Sequence, residues 1–322
     1  MSSRLRELSS AAFSGLGLVG ISETRLVAKS TSGLTPYQYW GGQLPGEFFH
    51  TSLATAYGLT QGGRNEAILL TPDSHILSAA LTWAKSETHL VGMYGPAMQN
   101  QRSRVGHAAT IASLLTVSGQ GNTFANVYFP YGLAATDLNL LTVTGARNSF
   151  VNCHFLPTIA TALDDAAFKL VSIQAAEQYF KNCYFGGDTV AWTNGTMIDL
   201  GQSGGSPARV VFENCVFVMN ADNAQVTFLK TTAGLGRCTI IFKGCQFLNL
   251  GTSLTVGIDG AGLGNAMMFF DNNSFFAGCT DVVAAANEAA VWFAPANTPV
   301  NQVTGGNSVA LFNGLACHPD LS

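Results

Sequence analysis

Four cysteines recur at nearly constant spacing, each between two phenylalanines, and a thiolate can act as a nucleophile or a metal ligand. They are Cys153, Cys183, Cys215 and Cys245, within "NSFVNCHF", "QYFKNCYF", "VVFENCVF" and "IIFKGCQF". Zinc sites need clustered ligands such as C-x-x-C, which the sequence lacks, and its six histidines show no paired spacing suited to a metal. We therefore predict no metal site and no cofactor, and we interpret the cysteines as buried, reduced thiols.

Aspartates are the second group that could carry chemistry, because glycan hydrolysis uses two carboxylates about 5 to 9 Å apart. Asp164 and Asp165 follow one of these boxes, Asp188 follows the next and Asp222 the one after. Stacked boxes would place these acids along one side of the molecule. Aspartate is also an ordinary turn residue. We predict no catalytic residue, and keep these four as the candidates if the chain is an enzyme.

The boxes belong to a longer repeat of about 30 residues. Its first position is always phenylalanine, at Phe124, Phe150, Phe180, Phe212, Phe242 and Phe270. Two residues later stands asparagine in most copies, at Asn126, Asn152, Asn182 and Asn214. The third position after the first phenylalanine is Val127 in the first copy and one of the four cysteines in the next four. The fifth position is again phenylalanine in every copy, from Phe129 to Phe275. Such a unit is too short for a propeller blade of about 40 residues, and it predicts a coil of three short parallel strands.

The repeat assigns each of these side chains a place in the coil. The first phenylalanine ends one strand and points inward. The asparagine lies at a bend, where it tolerates left-handed backbone and can stack its amide with that of the asparagine one coil above. The cysteine and the last phenylalanine are two residues apart and both point inward.

These F-x-N-C-x-F rungs resemble the right-handed parallel β-helix of the pectin-lyase-like superfamily. The stretch "GRNEAILLTPDSHILSAALTWAKSETHLVGM" at 63–93 looks like the opening coils of pectin-lyase-like proteins carried by tailed bacteriophages. The resemblance covers about residues 48–315 and implies an all-β, right-handed parallel β-helix solenoid. Enzymes of the superfamily carry W-x-D-H and R-x-P-x-x-R segments, or N-T-D, G-H-G and R-x-K motifs, and this sequence has none of them.

We divide the chain into an N-terminal arm (1–47), a parallel β-helix (48–281) and a C-terminal coil and cap (282–322). A capping helix is predicted at about 51–60, followed by roughly eight coils from Glu66 to Phe275, and a short helix at Ser2 to Phe13. Aromatic residues cluster around the end of the arm, and we predict that they contact another protein. They are Tyr37, Tyr39, Trp40, Phe48 and Phe49. A sugar platform is the alternative for the first three.

The composition restricts the possible partners. Only 11% of the residues are charged, against about 25% in a typical soluble domain, and 15 basic residues face 19 acidic ones without a run of either sign. This balance argues against nucleic acid or an anionic membrane as a partner. No apolar run reaches the roughly 18 residues of a membrane helix, and we expect no removed signal peptide. A chain with so little charge is expected to cover much of its surface with neighbouring subunits.

Together these features predict a non-enzymatic structural virion protein of a tailed bacteriophage, assembled in the host cytoplasm. A decoration or cement protein bound to the head shell through its arm and charge-poor faces fits best, and the resemblance to phage β-helices implies a homotrimer. Two alternatives remain open. One is a tailspike-like polysaccharide depolymerase that uses the four aspartates, and the other is a non-catalytic glycan-binding spike.

Overall fold

The computed structural model describes residues 22–29, 47–93, 98–99, 101–108, 111, 113–132, 139–158, 165–201, 207–231, 235, 238–263, 266–271, 273–284 and 291–293. Over these ranges the chain winds into a right-handed parallel β-helix with three sheets, named A, B and C here, and every pair of neighbouring strands is parallel. The predicted fold class is confirmed. One short helix, α1 (Leu53–Leu59), is present in the described part of the chain.

From β3 to β26 each coil contributes one strand to each sheet, and β1, β2 and β27 extend sheet A at its two ends. Sheet A contains β1 (Thr24–Val27), β2 (Phe49–His50), β3 (Glu66–Leu70), β6 (Thr88–Gly92), β9 (Thr123–Ala125), β12 (Ser149–Val151), β15 (Tyr179–Lys181), β18 (Val210–Glu213), β21 (Thr239–Lys243), β24 (Met267–Phe270) and β27 (Val291–Phe293). Sheet B contains β4 (Ser74–Leu77), β7 (Arg104–His107), β10 (Tyr128–Tyr131), β13 (His154–Pro157), β16 (Tyr184–Trp192), β19 (Val216–Ala221), β22 (Gln246–Asn249) and β25 (Phe275–Ala277). Sheet C contains β5 (Leu81–Trp83), β8 (Ser113–Val117), β11 (Asn139–Val143), β14 (Lys169–Ile173), β17 (Thr196–Leu200), β20 (Thr227–Lys230), β23 (Leu254–Asp259) and β26 (Cys279–Val283).

Two columns of stacked phenylalanines fill the interior between sheets A and B. In sheet A the rings of Phe150, Phe180, Phe212 and Phe242 are fully buried and successive centroids lie 4.7 to 4.9 Å apart. The column in sheet B meets the first edge to face, for example between Phe212 and Phe217 with centroids 5.7 Å apart. In-register parallel strands make the stacking possible, because they place identical positions one coil apart, about 4.8 Å.

The bend between sheets A and B is built by the asparagines. Asn126, Asn152, Asn182 and Asn214 have φ between 52° and 57°, the left-handed region that asparagine tolerates better than most residues. Neighbouring amides can bond directly, as Nδ2 of Asn152 donates to Oδ1 of Asn126 at 2.7 Å. Gly244 takes the same slot one coil further, with φ 61°.

The cysteines lie directly after this bend, and each thiol donates to the carbonyl of the phenylalanine one coil earlier. The distance is 3.4 Å from Cys153 Sγ to the Phe124 oxygen and 3.5 Å from Cys245 Sγ to the Phe212 oxygen. Burial raises the pKa of the Cys153, Cys183 and Cys215 thiols well above its usual range. These thiols are therefore protonated at neutral pH and suited to packing rather than to nucleophilic attack.

The last box differs from the sequence alignment by one residue. Phe276, not Phe275, is in register with Phe247, and their rings stack with centroids 4.2 Å apart. Ser274 occupies the cysteine slot, since its hydroxyl lies 3.4 Å from the Phe242 carbonyl. The bend here contains one extra residue, which shifts everything after Phe270 by one position.

A second polar ladder, which sequence reasoning missed, lies inside the corner between sheets C and A. The amide of Asn122 accepts a hydrogen bond from the Thr88 backbone N–H at 2.9 Å, and Asn148 does the same for the Asn122 N–H at 2.9 Å. Gln178 continues the ladder by donating to the Gly145 carbonyl at 2.8 Å. These side chains satisfy buried backbone groups where the chain turns.

Helix α1 covers the first coil and is fixed to it by a lysine. Ser52 is the N-cap. At the other end the Lys85 ammonium donates to the carbonyls of Tyr57, Gly58 and Thr60 at 2.6 to 2.9 Å. The Tyr57 ring packs on Trp83 with centroids 4.3 Å apart. The positive charge therefore neutralises the free carbonyls at the helix C-terminus and closes this end of the core.

The structure places part of the predicted arm inside the solenoid. Strand β1, within 1–47, pairs with β3 and β2 at the end of sheet A, so this segment adds a strand that sequence reasoning missed. At the other end β26 runs across the predicted boundary at 281 to Val283, and β27 pairs with β24. The helix predicted at Ser2 to Phe13 and the last 29 residues lie outside the described residues.

Candidate functional site

A groove of about 690 Å³ runs along the outer face of sheet C and the corner that precedes it. It crosses four successive strands of the sheet, β14, β17, β20 and β23, so its lining repeats with the rise of the coils. The lining mixes apolar residues, such as Ala167 and Val256, with polar ones, which are Lys169, Asn194, Thr196, Gln225, Thr227, Lys230, Thr255 and Asp259. The groove therefore offers hydroxyl and amide groups along one line.

Two lysine–aspartate pairs lie in and beside this groove. Lys169 Nζ lies 2.9 Å from Oδ2 of Asp199, a carboxylate that is fully buried. Lys230 Nζ lies 3.6 Å from Oδ2 of Asp259, and both of these side chains are partly exposed. Asp199, Lys230 and Asp259 occupy the same position on consecutive strands. A buried carboxylate is tolerated only when it is paired, which explains the lysine beside Asp199.

Hydroxyl groups continue the polar lining between the charged pairs. Oγ1 of Thr196 and Oγ1 of Thr227 lie 2.8 Å apart, and Nε2 of Gln225 donates to Oγ1 of Thr255 at 3.5 Å. The register places Lys169, Thr196 and Thr227 in one row across the sheet. A row of paired donors and acceptors can exchange its hydrogen bonds for those of a polyhydroxylated ligand.

The two carboxylates of the groove are separated by a lysine rather than by open space. Asp199 and Asp259 lie two coils apart, about 10 Å between backbones, with Lys230 on the strand between them. Glycoside hydrolysis needs one carboxylic acid and one carboxylate that face the same bond. Here each carboxylate has its own lysine, so the arrangement is suited to binding a polar ligand.

The structure does not bring the sequence-predicted aspartates together as a pair. Asp165 borders the groove in a turn, where Oδ1 accepts from the Ala167 N–H at 2.8 Å. Asp188 is exposed in the middle of β16, and Asp222 is exposed directly after β19. Asp164 lies outside the described residues. Asp165 and Asp222 flank the same groove from coils that are not adjacent.

The aromatic residues predicted to contact another protein are only partly described. Phe48 and Phe49 are half-buried and pack on the outer face of sheet A, against a buried cluster. The cluster consists of Leu26, Ala67, Leu69, Val91 and Ala125. The structure thus gives both rings an intramolecular role. Tyr37, Tyr39 and Trp40 lie outside the described residues.

Four histidines of the described residues are buried, His50, His75, His89 and His154, and burial lowers the pKa of each. Burial lowers the pKa of His89 and of His154 to about 4. His89 accepts a hydrogen bond at Nδ1 from the Thr123 N–H at 3.2 Å, and Nε2 of His154 lies 3.3 Å from the Gly186 carbonyl.

Across the ranges that the structure describes, no three His, Cys, Asp or Glu side chains are grouped as a metal site would need. Nor does any helix in those ranges have the length and apolar character to cross a membrane.

Comparison with known proteins finds similarity in structure but not in sequence. No protein-family model matches the sequence, and no curated protein matches it either. Two crystal structures of a pectin methylesterase from Aspergillus niger are similar in structure, one deglycosylated and one penultimately deglycosylated. The first has a TM-score of 0.54 at 14% identity over 87% of this chain and 85% of the other, and the second a TM-score of 0.52 at 15% identity over 86% and 84%. The chain shares their parallel β-helix fold. At this identity the likeness extends to the fold alone, because one β-helix can support unrelated functions.

The groove residues could not be found from the sequence pattern used for the phenylalanine boxes. Lys169, Asp199, Lys230 and Asp259 lie on the strands of sheet C, where the repeat is weakest. Their only signal is an acidic or basic residue at the end of an apolar strand, as in "TMIDL" and "TFLK". The pairing becomes visible once the register of the strands is known.

Proposed function

We propose that this chain is a non-enzymatic structural protein of a tailed-bacteriophage virion, which decorates the head shell as a homotrimer. The phage assignment is supported by the resemblance of residues 63–93 to pectin-lyase-like proteins carried by tailed bacteriophages. The structural role rests on one observation, the low number of charged residues on the outer face of sheet B. That face is described by two rows of positions that follow the strands of the sheet.

The first row of this face consists of Ser74, Arg104, Tyr128, His154, Tyr184, Val216, Gln246 and Phe275. The second consists of Ile76, Gly106, Pro130, Leu156, Gly186, Val218, Leu248 and Ala277. Arg104 is the one charged residue of the two rows, because the low pKa of His154 keeps that ring neutral at physiological pH. The bulged strand β16 adds one exposed carboxylate, Asp188, close to Tyr184. A long face of this kind is typical of a surface that another protein covers.

Co-sedimentation tests this proposal. Purified chain is mixed with particles of the encoding phage from which the gene has been deleted, and the particles are pelleted through a sucrose cushion. We expect saturable binding of the chain to intact heads and none to isolated tails. Binding to tails alone, or to neither, would contradict the decoration role.

A second function is favoured by the groove on sheet C, namely binding or cleavage of a polysaccharide along this face. Its hydroxyls, amides and charged pairs follow the axis of the solenoid, as an extended sugar chain would. The test compares Lys230→Gln and Asp259→Asn, which change two partly exposed lining residues, with Glu213→Gln, a control on the outer face of sheet A, in binding and depolymerisation of host surface polysaccharide. Loss confined to the two groove variants would establish this function, and an inactive wild-type chain would exclude it for the polysaccharides used.

A further inference from the structure

The corner between sheets C and A holds charged residues in a backbone conformation that disfavours them. Arg147, Glu177 and Arg209 occupy the same slot on three consecutive coils, with φ angles of 61°, 61° and 58°. We call these three residues the corner ridge. The Arg147 N–H donates to the Ala176 carbonyl at 3.1 Å, and the Glu177 N–H donates to the Ala208 carbonyl at 2.7 Å. The separation of the three residues is therefore fixed by the coils.

The rest of the solenoid shows which residues suit this conformation. At the bend between sheets A and B, four asparagines and one glycine take the left-handed slot on consecutive coils. Earlier coils of the corner between sheets C and A include Asn65 and Gly121, with φ angles of 50° and 67°. Asparagine and glycine adopt left-handed backbone at low cost, whereas arginine and glutamate do not. The backbone conformation therefore does not explain the residues of the corner ridge.

Ion pairs within the corner ridge do not explain them either. Nε of Arg147 donates to Oε2 of Glu177 at 2.6 Å, and Nη2 of Arg209 donates to Oε1 of Glu177 at 2.5 Å. The two arginine side chains are 71% and 67% exposed. Exposed ion pairs contribute less than three left-handed residues cost, because water and salt weaken the attraction and long side chains lose freedom. This balance points to a contact with something outside the chain.

The corner ridge presents two guanidinium groups at a fixed separation. Glu177 accepts from one nitrogen of each, so both keep further N–H groups that a ligand can use. The two arginines lie two coils apart, about 10 Å between backbones. The residues beside them are small and partly exposed, namely Ala146, Ala176 and Ala208, so a partner can approach closely. A planar guanidinium matches a carboxylate in geometry as well as in charge.

We infer that the corner ridge is a docking surface for an acidic segment of another protein, with one carboxylate on Arg147 and a second on Arg209. The order of charges favours a protein over a uniformly anionic polymer. Such a polymer would place negative charge against Glu177, and like charges at an interface are destabilising. A protein segment can carry two acidic residues with uncharged residues between them. The inference goes beyond the proposed function, because it depends on no property of the phage head.

Glycine substitutions separate binding from stability. A chain with both Arg147→Gly and Arg209→Gly loses the two guanidinium groups, and glycine suits the left-handed backbone at both positions. The Tm of this double variant should equal that of the wild-type chain or exceed it. Glu87→Gly is the matched control, because Glu87 occupies the same slot two coils before Arg147, with a φ of 53° and the opposite charge.

A synthetic peptide of eight Glu-Ser-Ser repeats is the probe, because an extended chain places its glutamates about 10 Å apart. Fluorescence anisotropy at low salt should show that the peptide binds the full-length wild-type chain, and that added salt weakens binding. The Glu87→Gly chain should bind it equally well or more tightly. The double variant should bind at least about tenfold more weakly. A peptide of eight Gln-Ser-Ser repeats should not bind.

Several results would overturn the inference. One is a wild-type chain that does not bind the glutamate peptide, and another is equal binding by the wild-type chain and the double variant. A lower Tm of the double variant would show that the ridge serves stability instead. Dextran sulfate tests the other class of partner: tighter binding of this anionic polysaccharide than of the peptide, lost in the double variant, would contradict a protein partner. None of these measurements uses phage heads, so the decoration role is tested separately by co-sedimentation.

Discussion

The phenylalanine column of sheet A carries the most direct prediction about stability, and Phe212 is its central member. The ring is fully buried, with Phe180 and Phe242 stacked on either side at 4.9 Å and Phe217 edge-on at 5.7 Å. Truncating a buried phenylalanine to alanine costs about 3 to 5 kcal/mol, and each lost aromatic pair adds about 0.5 to 1.5 kcal/mol. The strands on either side are held in register, so the cavity can collapse little. We expect Phe212→Ala to lower the free energy of unfolding by about 5 kcal/mol.

Chemical denaturation with guanidinium measures this difference, with equal slopes for both proteins as the check on a common transition. Phe269→Ala is the control, because Phe269 lies on the next strand but one and its side chain is 36% exposed on the outer face. It should cost less than about 1 kcal/mol. Equal losses for Phe212→Ala and Phe269→Ala would refute the stacked-column account of the core.

Three further predictions concern the bend, the buried histidines and the cap. Asn182→Gly should be nearly neutral, as Gly244 fills that slot natively, whereas Asn182→Val should cost about 1 to 3 kcal/mol in thermal melts because its φ is 52°. His89 and His154 have pKa values lowered to about 4 from 6.5, so the unfolded chain binds more protons between these values and stability is lost as pH falls through that window. The loss is at most about 3 kcal/mol for each histidine, and a His89→Gln, His154→Gln chain should show a flatter dependence of Tm on pH from about 7 to 4. Lys85→Met removes the bonds to three helix carbonyls and should raise amide hydrogen exchange in α1 while leaving the central coils unchanged; equal exchange in α1 would contradict its capping role.

The sequence predicts the core of this fold well because the core repeats in residue type. Phe180, Asn182 and Cys183 recur about every 30 residues, and stacking of identical coils requires that recurrence. Strand β1 was missed because "TRLV" is a single strand without a box beside it. The second polar ladder, at the corner between sheets C and A, was missed because its residue type changes from one coil to the next, from Thr88 to Asn122 to Gln178. Different polar side chains can make the same hydrogen bonds to the backbone, so the position need not repeat in residue type.

The candidate sites were less predictable for a related reason. Outward positions need not repeat, so the strand register is needed to show that Lys230 faces Asp259 and that the outer face of sheet B carries few charges. The contact of Lys169 with Asp199 becomes visible only from the side-chain positions, since the register pairs Lys169 with Thr196. The four aspartates proposed from the sequence follow the boxes at different distances along the chain, and the segments between strands differ in length from coil to coil. Spacing along the chain therefore gave no measure of their separation in space.

Immunogold labelling of the phage particles tests the central claim most directly. Antibody raised against the purified chain is applied to intact virions, with particles from a gene-deletion strain as the control. The proposed decoration role predicts gold distributed over the head and absent from the deletion particles. Gold confined to the tail tip would contradict it and would favour a spike that binds or cleaves polysaccharide through the groove on sheet C.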